Sequence, residues 1–369
     1  MIGILGGGQL ARMLALAAVP LGLRVRTLDP NADSPAGHCA ELVVAPYDDP
    51  AGLARLAAGC TAVTYEFENV PAAAVERLAG LGVAVRPAAG ALAISQDRIP
   101  EKDCFNACGL PTAPYRAVDS RADLDAAVAA IGLPGVLKTR RFGYDGKGQK
   151  VLRRSEDLDA AWAELGRSPL IYEGFVPFDS ECSLIAVRGG DGATAFYPLV
   201  ENHHRDGILR LSICPGRGTA GLQAEAEAAA GRLLVRLDYV GVLAVEFFRV
   251  GGRLLGNEMA PRVHNSGHWS IEGAECSQFE NHIRAVAGLP LGSTRVRGAA
   301  AMVNLIGHFP DLRAVLAEPG VHLHHYGKEP RPGRKIGHLT VVADDHAALL
   351  GRLRRLAAVT GLELPGLDG

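Results

Sequence analysis

The sequence predicts an α/β protein, and the alternation of strands and helices within residues 1–88 is the clearest indication of it. Apolar segments at Met1–Leu5 and Arg24–Leu28 flank Gln9–Leu21, where apolar residues recur with helical periodicity. A further apolar strand at Ala62–Phe67 precedes a helix at Ala72–Leu81. Because strands that alternate with helices form parallel sheets with crossover helices, we expect such a sheet here.

Beyond a boundary near Arg86-Pro87, the patterns predict a mixture of strands and helices. The predicted strands after that point are Leu170–Glu173, Glu181–Arg188, Thr194–Val200, Gly241–Phe248, Arg253–Gly256, Ala301–Ile306 and His338–Val342. The predicted helices are Ala88–Cys108, Ser155–Leu165 with Ser155 as its cap, Gln223–Leu237 and His346–Ala358.

The composition is typical of a globular protein with no general affinity for polyanions. The chain has 369 residues, and its 38 Lys and Arg against 40 Asp and Glu leave a net charge of −2. We therefore expect no nucleic-acid and no membrane partner. No apolar segment reaches membrane-spanning length, and the chain opens with a strand, so we expect no signal peptide. Seven scattered cysteines without a Cys-x-x-Cys motif indicate reduced thiols and a cytoplasmic location.

Residues 136–151 predict a hairpin whose strands flank a glycine-rich, cationic loop from Gly143 to Gly148. Glycine lets backbone N–H groups approach an anion closely, so the loop could fold over the phosphates of a nucleotide as a lid. It lacks the Gly-Lys-Ser/Thr ending of a Walker loop and opens no helix. The alternative is an ordinary glycine-rich hairpin.

Two acidic residues lie in neighbouring predicted strands. Glu246 interrupts an apolar strand, and Glu258 closes the next one after a tight turn. Buried carboxylates that face each other repel unless a cation lies between them, and oxygen-only ligands favour Mg²⁺ that bridges nucleotide phosphates. Asn257 could add a carbonyl ligand. The alternative is a surface hairpin that carries acids.

The N-terminal segment GGGQLARM joins a strand to a helix and fits a phosphate-binding turn. Gly6, Gly8 and Ala11 match the relaxed dinucleotide fingerprint, and Asp29 ends the next strand where a ribose-binding acid would lie. A nicotinamide-dependent dehydrogenase is therefore an alternative. The turn could equally bind a substrate phosphate, or serve only as a tight turn.

Three further polar segments indicate a site. Glu66 and Glu68 end a strand at the carboxyl edge of the predicted parallel sheet, unless one of them only caps the helix near Pro71. A polar loop runs over 260–269, directly after a candidate metal ligand, and a basic turn over 331–339 predicts an anion site. The polar loop contributes Arg262, His264, Asn265, Ser266 and His268, and the basic turn contributes Arg331, Arg334 and Lys335.

In order along the chain, these motifs resemble the ATP-grasp ligase family, and within it the purine-biosynthesis branch that carboxylates 5-aminoimidazole ribonucleotide (AIR). The segments that carry the resemblance are GGGQLARM, YEFEN, FGYDGKGQ, EGFV with Glu181, NHHRDGILR, NEMAPRVHNSGHW and RPGRKIGHL. The resemblance implies a Rossmann-like N-terminal domain at 1–88, an ATP-grasp region of two α+β subdomains at 89–300, and a small C-terminal domain at 301–369. The subdomain at about 110–178 would be mobile.

The resemblance also implies the site residues. An ATP site would comprise Arg98, Lys138, Gly143, Tyr144, Asp145, Gly146, Lys147, Gly148, Gln149, Glu173, Gly174, Phe175, Val176, Glu181, His204, Asn257 and Glu258. AIR would contact Gln9, Leu10, Glu68, Tyr144, Lys147, Asn265, Ser266, Lys328, Arg331, Arg334 and Lys335. Arg262, His264 and Asp145 would be catalytic, and Glu246 and Glu258 would bind Mg²⁺.

The implied reaction uses ATP to activate bicarbonate as carboxyphosphate, which then carboxylates the amine of AIR and leaves ADP and phosphate. A homodimer is expected. Lys147 stands where many relatives carry Arg, so bidentate phosphate binding would be lost at that position. A sibling ATP-grasp enzyme, such as the formate-dependent glycinamide ribonucleotide transformylase, shares the ATP motifs. The HNSGHW and RPGRKIGHL segments favour the AIR-carboxylating branch.

Overall fold

The N-terminal region forms the predicted parallel sheet. A computed structural model of the protein describes residues 1–143 and 147–367. The five strands are hydrogen-bonded in the order β3-β2-β1-β4-β5, and every pair is parallel. The strands are β1 Ile2–Leu5, β2 Val25–Asp29, β3 Glu41–Val44, β4 Ala62–Tyr65 and β5 Ala84–Val85, and the helices are α1 Gln9–Ala18, α2 Pro50–Ala57 and α3 Ala72–Gly80. All residues of β1 and β4 are buried, as expected of a sheet covered on both faces.

The single helix predicted over Ala88–Cys108 is two helices, α4 Ala89–Ser95 and α5 Arg98–Ala107. The prediction was wrong because Asp97 competes with the helix: its carboxylate accepts a hydrogen bond from the Ile99 amide and so begins a new helix. The side chain of Gln96 donates to the Glu68 carbonyl, which holds the junction against the N-terminal region.

A four-stranded antiparallel sheet follows, in the order β6-β9-β7-β8. Its strands are β6 Tyr115–Val118, β7 Gly135–Thr139, β8 Gln149–Leu152 and β9 Leu170–Gly174, and α6 Arg121–Ile131 and α7 Asp157–Leu165 pack against it. The predicted hairpin is confirmed, with Val136 opposite Val151. Ser155 does not cap α7, because the helix begins after Glu156 and has no side-chain cap, while Asp157 accepts hydrogen bonds from the amides of Arg153 and Arg154.

The third sheet runs through the rest of the chain, in the order β15-β14-β10-β12-β13-β16-β18-β17, with β11 paired to β10. Its strands are β10 Ser180–Arg188, β11 Thr194–Phe196, β12 Val200–Arg205, β13 Ile208–Cys214, β14 Gly241–Val250, β15 Arg253–Ala260, β16 Ala299–Ile306, β17 Val321–His325 and β18 Lys335–Ala343. The helices are α8 Gln223–Arg236, α9 Ser270–Gly273, α10 Gln278–Ala287, α11 Leu312–Ala317 and α12 His346–Thr360.

Two features of this sheet were not predicted. The strand expected over Thr194–Val200 is divided, because Pro198 has no N–H to donate and lies between β11 and β12. The C-terminal strands also continue the central sheet, since β16 pairs with β13 in an antiparallel register. The basic turn before β18 therefore lies on the same sheet as the acidic strands β14 and β15. No helix among the described residues is long and apolar enough to span a membrane.

Candidate active site

A cavity of about 1050 Å³ is lined by the N-terminal region, both later sheets and the C-terminal region. It brings together most of the residues that the sequence singled out. They are Gln9, Leu10, Glu68, Arg98, Lys138, Gly143, Lys147, Gln149, Glu173, Gly174, Phe175, Val176, Glu181, His204, Glu246, Asn257, Glu258, Arg262, His264, Asn265, Lys328, Arg331, Arg334 and Lys335.

Two predicted residues do not line this cavity. Gly148 packs beside Thr139, with the positive φ of 73° that the loop needs at this point. Ser266 is fully buried, and its hydroxyl bonds to Ser183 and His264, so it lies behind the cavity wall and not on it. Tyr144, Asp145 and Gly146 lie outside the described residues.

The two acids of the predicted pair face each other directly. Glu246 on β14 is in register with Glu258 on β15, next to a β-bulge. Burial and the charge of Glu258 raise the pKa of Glu246 to about 7. Burial disfavours ionisation of Glu258 as well, but the Arg98 guanidinium, 2.9 Å from its carboxylate, outweighs burial and lowers the pKa of Glu258. Glu258 thus has a guanidinium bonded to it, whereas the described residues give Glu246 no such ion pair with Lys or Arg.

A buried ion-pair cluster lies beside these acids, and its central member, Lys102, was not predicted from the sequence. The Lys102 ammonium on α5 is 1% exposed, and it lies 3.3 Å from Glu173 Oε2 and 3.3 Å from the carbonyl of Asn257. Lys138 also bonds Glu173 Oε2, at 3.0 Å. Burial opposes ionisation of Glu173, but Lys138 and Lys102 outweigh it and lower its pKa to about 2.

Helix α5 carries three contacts to the acidic strand. Arg98 bonds Glu258, the Glu101 carboxylate accepts from the Met259 amide at 2.7 Å, and Lys102 reaches the Asn257 carbonyl. Of these three residues only Arg98 was predicted, through the family resemblance, because a charged helix normally faces solvent. Only the packing of α5 against β15 reveals that Glu101 and Lys102 point inward.

A second acid–histidine pair borders the cavity. The His204 Nδ1 atom lies 2.7 Å from Glu181 Oε2. Burial lowers the pKa of His204, but the hydrogen bond and charge of Glu181 outweigh it, so the pKa is raised. Phe178 and Phe248 stack nearby at 4.8 Å between ring centroids, which gives this end of the cavity an aromatic wall.

Next to the acid pair, His264 Nε2 lies 3.1 Å from Glu246 Oε1, and Arg262 bonds the Glu68 carboxylate at 2.5 Å. Burial, with the positive charges of Arg262 and Lys335, lowers the pKa of His264 to about 3. The imidazole is therefore neutral near pH 7, and it stands between the acid pair and the cationic side chains.

The C-terminal turn supplies more positive charge. Lys328 bonds the side-chain oxygen of Gln9, and Arg334 bonds the Glu329 carbonyl at 3.1 Å. Burial and the nearby Arg334 lower the pKa of Lys328. Lys328 thus contacts the N-terminal region directly, and Arg331, Arg334 and Lys335 line the same cavity. Tyr326 and His268 also line the cavity.

The N-terminal glycine turn is closed by carboxylates of the chain itself. Glu66 accepts hydrogen bonds from the amides of Gly8 and Ala11, and Asp29 accepts from the Gly7 amide at 2.8 Å. A Cβ atom at Gly8 would lie only 2.6 Å from Glu66 Oε1, so this approach requires glycine. The alternative that Glu66 or Glu68 caps the helix near Pro71 is wrong, since no side chain caps α3.

Comparison with known protein families gives three adjacent matches. A ribonucleotide synthetase preATP-grasp domain matches residues 1–96, an ATP-grasp domain matches 103–279, and a phosphoribosylaminoimidazole carboxylase C-terminal domain matches 300–352. The predicted fold class, with a Rossmann-like domain, an ATP-grasp region and a C-terminal domain, is confirmed. The three regions and their cavity define an ATP-grasp protein.

Individual relatives narrow the family. The chain is 56% identical to N5-carboxyaminoimidazole ribonucleotide synthase of Pseudomonas aeruginosa over 358 residues, which are 97% of this chain and 99% of that protein. It is also 56% identical to the synthetase of Thermus thermophilus, whose crystal structure superposes with a TM-score of 0.95 over 99% of both chains. The chain belongs to the N5-carboxyaminoimidazole ribonucleotide synthase family.

A third relative has bound ligands. The enzyme from Aspergillus clavatus, crystallised in complex with ADP and 5-aminoimidazole ribonucleotide, is 31% identical and matches with a TM-score of 0.91 over 98% of both chains. That enzyme therefore binds a nucleotide and AIR on the same fold.

Proposed function

We propose that this protein is an ATP-dependent carbon–nitrogen ligase of purine biosynthesis that converts AIR, bicarbonate and ATP to N5-carboxyaminoimidazole ribonucleotide, ADP and phosphate. The observation that carries the proposal is one cavity with two unlike ends. The acid pair, Arg98 and Lys138 lie at one end, the basic turn lies at the other, and the Arg262–His264 loop lies between them. Membership of the family supports the same reaction.

The chemistry requires both ends. Bicarbonate is a poor electrophile, and transfer of the γ-phosphoryl group gives carboxyphosphate, in which phosphate is the leaving group on carbon. Every reacting species is anionic, so the main catalytic contribution is positive charge that is already in place. Arg262 and His264 lie between the two ends, where the carbon would pass from the nucleotide to the AIR amine. Burial of these side chains helps to keep water from hydrolysing the intermediate.

The acid pair fits Mg²⁺. Both carboxylates are hard oxygen donors, and Asn257 Oδ1 is buried without a hydrogen-bond partner among the described residues. The raised pKa of Glu246 reflects a negative charge that a cation would relieve. Glu246 and Glu258 would hold the ion, which would neutralise phosphate charge when bound.

At the nucleotide end, Lys138 is held by Glu173 and directed toward the cavity, where it would bind phosphate together with Arg98. Glu173, Gly174, Phe175 and Val176 would line adenine. Glu181, paired with His204, would accept the ribose hydroxyls. Gly143, Lys147, Gly148 and Gln149 flank the undescribed loop residues and would cover the phosphates.

At the other end, AIR would bind between the N-terminal region and the basic turn. Gln9, Leu10 and Glu68 line one side of this space, and Lys328, Arg331, Arg334 and Lys335 line the other, with Asn265 between them. Clustered cations suit the 5′-phosphate of AIR. Asp145 remains a proposed catalytic residue.

The nicotinamide-dehydrogenase alternative is disfavoured by the N-terminal turn. A pyrophosphate would need the amides of Gly7, Gly8 and Ala11, which Asp29 and Glu66 already occupy. Two carboxylates there would also repel it. The formate-dependent transformylase is also disfavoured, because the family matches are to the AIR-carboxylating branch.

Two further expectations are proposals: a homodimer, which rests on the family resemblance, and a cytoplasmic location, which rests on the scattered cysteines. Light scattering on the purified protein at micromolar concentration tests the first. A mass of one chain of 38.7 kDa would contradict it.

A coupled assay tests the function. Phosphate release from ATP should require AIR, bicarbonate and Mg²⁺ together, and omission of any one should reduce the rate to background. The product should carry label from ¹³C-bicarbonate on the exocyclic amine. AIR-independent ATP hydrolysis, or turnover with formate and glycinamide ribonucleotide instead, would reject the proposal.

A further inference from the structure

A chain of buried polar side chains runs from the core of the large sheet to His264. Ser212 on β13, Asn202 on β12 and Ser183 on β10 are at most 5% exposed, and none of them lines the cavity. Successive hydrogen bonds join Ser212 to Asn202 at 2.8 Å, Asn202 to Ser183 at 2.9 Å, Ser183 to Ser266 at 2.7 Å, and Ser266 to His264 Nδ1 at 2.9 Å.

The direction of donation along this chain is fixed at both ends. The Asn202 amide nitrogen can only donate, so Ser183 accepts from it and gives its own hydrogen to Ser266. At the other end, the backbone N–H of Ser266 lies 3.3 Å from His264 Nδ1 and can only donate as well. The Ser266 hydroxyl, which accepts from Ser183, gives its own hydrogen to Nδ1 at the shorter distance of 2.9 Å, so both Ser266 donors make Nδ1 an acceptor.

A neutral imidazole that accepts at Nδ1 carries its hydrogen at Nε2. That atom lies 3.1 Å from Glu246 Oε1, so His264 donates to one oxygen of Glu246. With the opposite tautomer, a nitrogen lone pair would face a carboxylate, which is repulsive. The tautomer thus decides whether His264 supports or disturbs the acid pair.

We propose that Ser183, Asn202, Ser212 and Ser266 are positioning residues that fix His264 as its Nε2–H tautomer, directed at Glu246. The proposal rests on the function given above, since it assigns these four residues to the reaction through His264. It also replaces the predicted direct contact of Ser266 with AIR by an indirect role. One oxygen of Glu246 is held by His264, and the other is left for a cation.

The first test is spectroscopic and needs no turnover. Ring ¹⁵N shifts of protein labelled at its 12 histidines, in EDTA at pH 7.5 without substrates, distinguish the tautomers, and His264→Gln identifies the signal. Wild type should show a protonated Nε2 and an unprotonated Nδ1. Ser266→Ala and Ser183→Ala should move both shifts toward a tautomer average. An Nδ1–H signal in the wild type, or shifts unchanged in both variants, would overturn the proposal.

The second test separates positioning from stability. Loss of one hydrogen bond should lower kcat about fivefold to tenfold in Ser183→Ala, with the KM values for AIR and ATP within about twofold of wild type. Ser212→Ala, two bonds further away, should have a smaller effect. Thr340→Val is the matched control: it removes a buried hydroxyl of the same sheet that has no hydrogen-bond partner among the described residues, and kcat should not change.

Unchanged kcat in Ser183→Ala would reject the proposal, as would an equal loss in Thr340→Val. If Ser183→Ala does not fold, Ser212→Ala and Ser266→Ala decide by the same criteria. Failure of the proposed function would look different, because wild type itself would then release no AIR-dependent phosphate while the tautomer measurement stayed interpretable.

Discussion

The N-terminal glycine turn and the acidic end of the cavity each contain two carboxylates, at strand ends in the turn and within β14 and β15 in the cavity, but their charges are balanced differently. In the turn, Glu66 and Asp29 bind the free amides of Gly7, Gly8 and Ala11. In the cavity, Glu246 forms no ion pair with Lys or Arg among the residues that the structure describes, and it lies against the neutral His264.

The difference separates a structural site from a ligand site. A helix N-terminus is a ready anion site, and in this chain the anion is a side chain 58 residues along the sequence from Gly8. Burial raises the pKa of both Glu66 and Glu246, but the amides of Ala11 and Gly8 oppose the effect of burial at Glu66, whereas the charge of Glu258 adds to it at Glu246 and marks a functional site. Predictions on the two regions should therefore divide into losses of stability at the turn and losses of activity at the cavity.

The largest expected effect is that of Glu258→Gln on turnover. Loss of a carboxylate from a proposed metal pair removes several kcal/mol of transition-state stabilisation, so kcat should fall roughly a thousandfold. The thermal midpoint should also fall slightly, because Arg98 loses its counter-charge. AIR-dependent phosphate release and a melting curve measure the two effects.

Glu272→Gln provides the control for this change. Glu272 bonds His324 at 2.9 Å and does not line the cavity, so the same substitution there should leave kcat within about twofold. Near-normal turnover in Glu258→Gln would remove Glu258 from the metal site and would break the contrast between the two regions.

The sequence was sufficient where the partners are close along the chain. Glu246 and Glu258 pair because a tight turn joins β14 to β15, and hairpin register follows from the turn. The polar loop 260–269 and the basic turn were recognised for the same reason, since each is a short run of unusual composition.

The sequence was insufficient where burial depends on distant elements. Lys102 looked like one charge on a solvated helix, yet β9 and β15 bury it against Glu173 and Asn257. Glu66 looked like a ligand-binding acid, although its partners lie at the start of α1. Ser183, Asn202 and Ser212 look like ordinary strand residues in the sequence. Their hydrogen bonds become evident only because β10, β12 and β13 are neighbours in one sheet.

A medium effect is expected at the N-terminal turn. Glu66→Gln replaces one acceptor oxygen by a donor that faces the amides of α1, so the free energy of unfolding in urea should fall by roughly 2–3 kcal/mol. NAD should bind neither wild type nor variant in calorimetry, since Asp29 still occupies the Gly7 amide.

The exposed ion pair of Glu41 with Arg26 supplies the comparison, because Glu41→Gln makes the same change on β3 of the same sheet. A surface pair contributes about 0–1 kcal/mol, so that variant should be clearly more stable than Glu66→Gln. Equal losses in the two variants, or NAD binding by either, would mean that the turn is not closed by its own carboxylate.

The smallest effect is the pH dependence caused by Glu246. Its pKa is near 4.5 in the unfolded chain and about 7 in the folded protein. Between these values the folded state binds more protons than the unfolded state, so stability falls as pH rises through this window and is constant above it. Solvent access through the cavity and the coupling to Glu258 reduce the change to roughly 1–2 kcal/mol. The Glu246→Gln variant lacks this titrating group, so its stability should not show this pH dependence.

Urea unfolding in EDTA at pH 5 and pH 8 measures this pH dependence of the free energy of unfolding. Wild type should lose stability relative to Glu246→Gln between pH 5 and pH 8, and Mg²⁺ at pH 8 should restore part of this stability in the wild type only.

Glu201→Gln is the opposite case. His203 and Arg217 outweigh burial and hold the pKa of Glu201 at about 2, so its carboxylate is ionised in the folded state throughout this range. That variant should be destabilised by a similar amount at both pH values. A parallel pH response of wild type and Glu246→Gln would show that the acid pair is already balanced, as the N-terminal turn is.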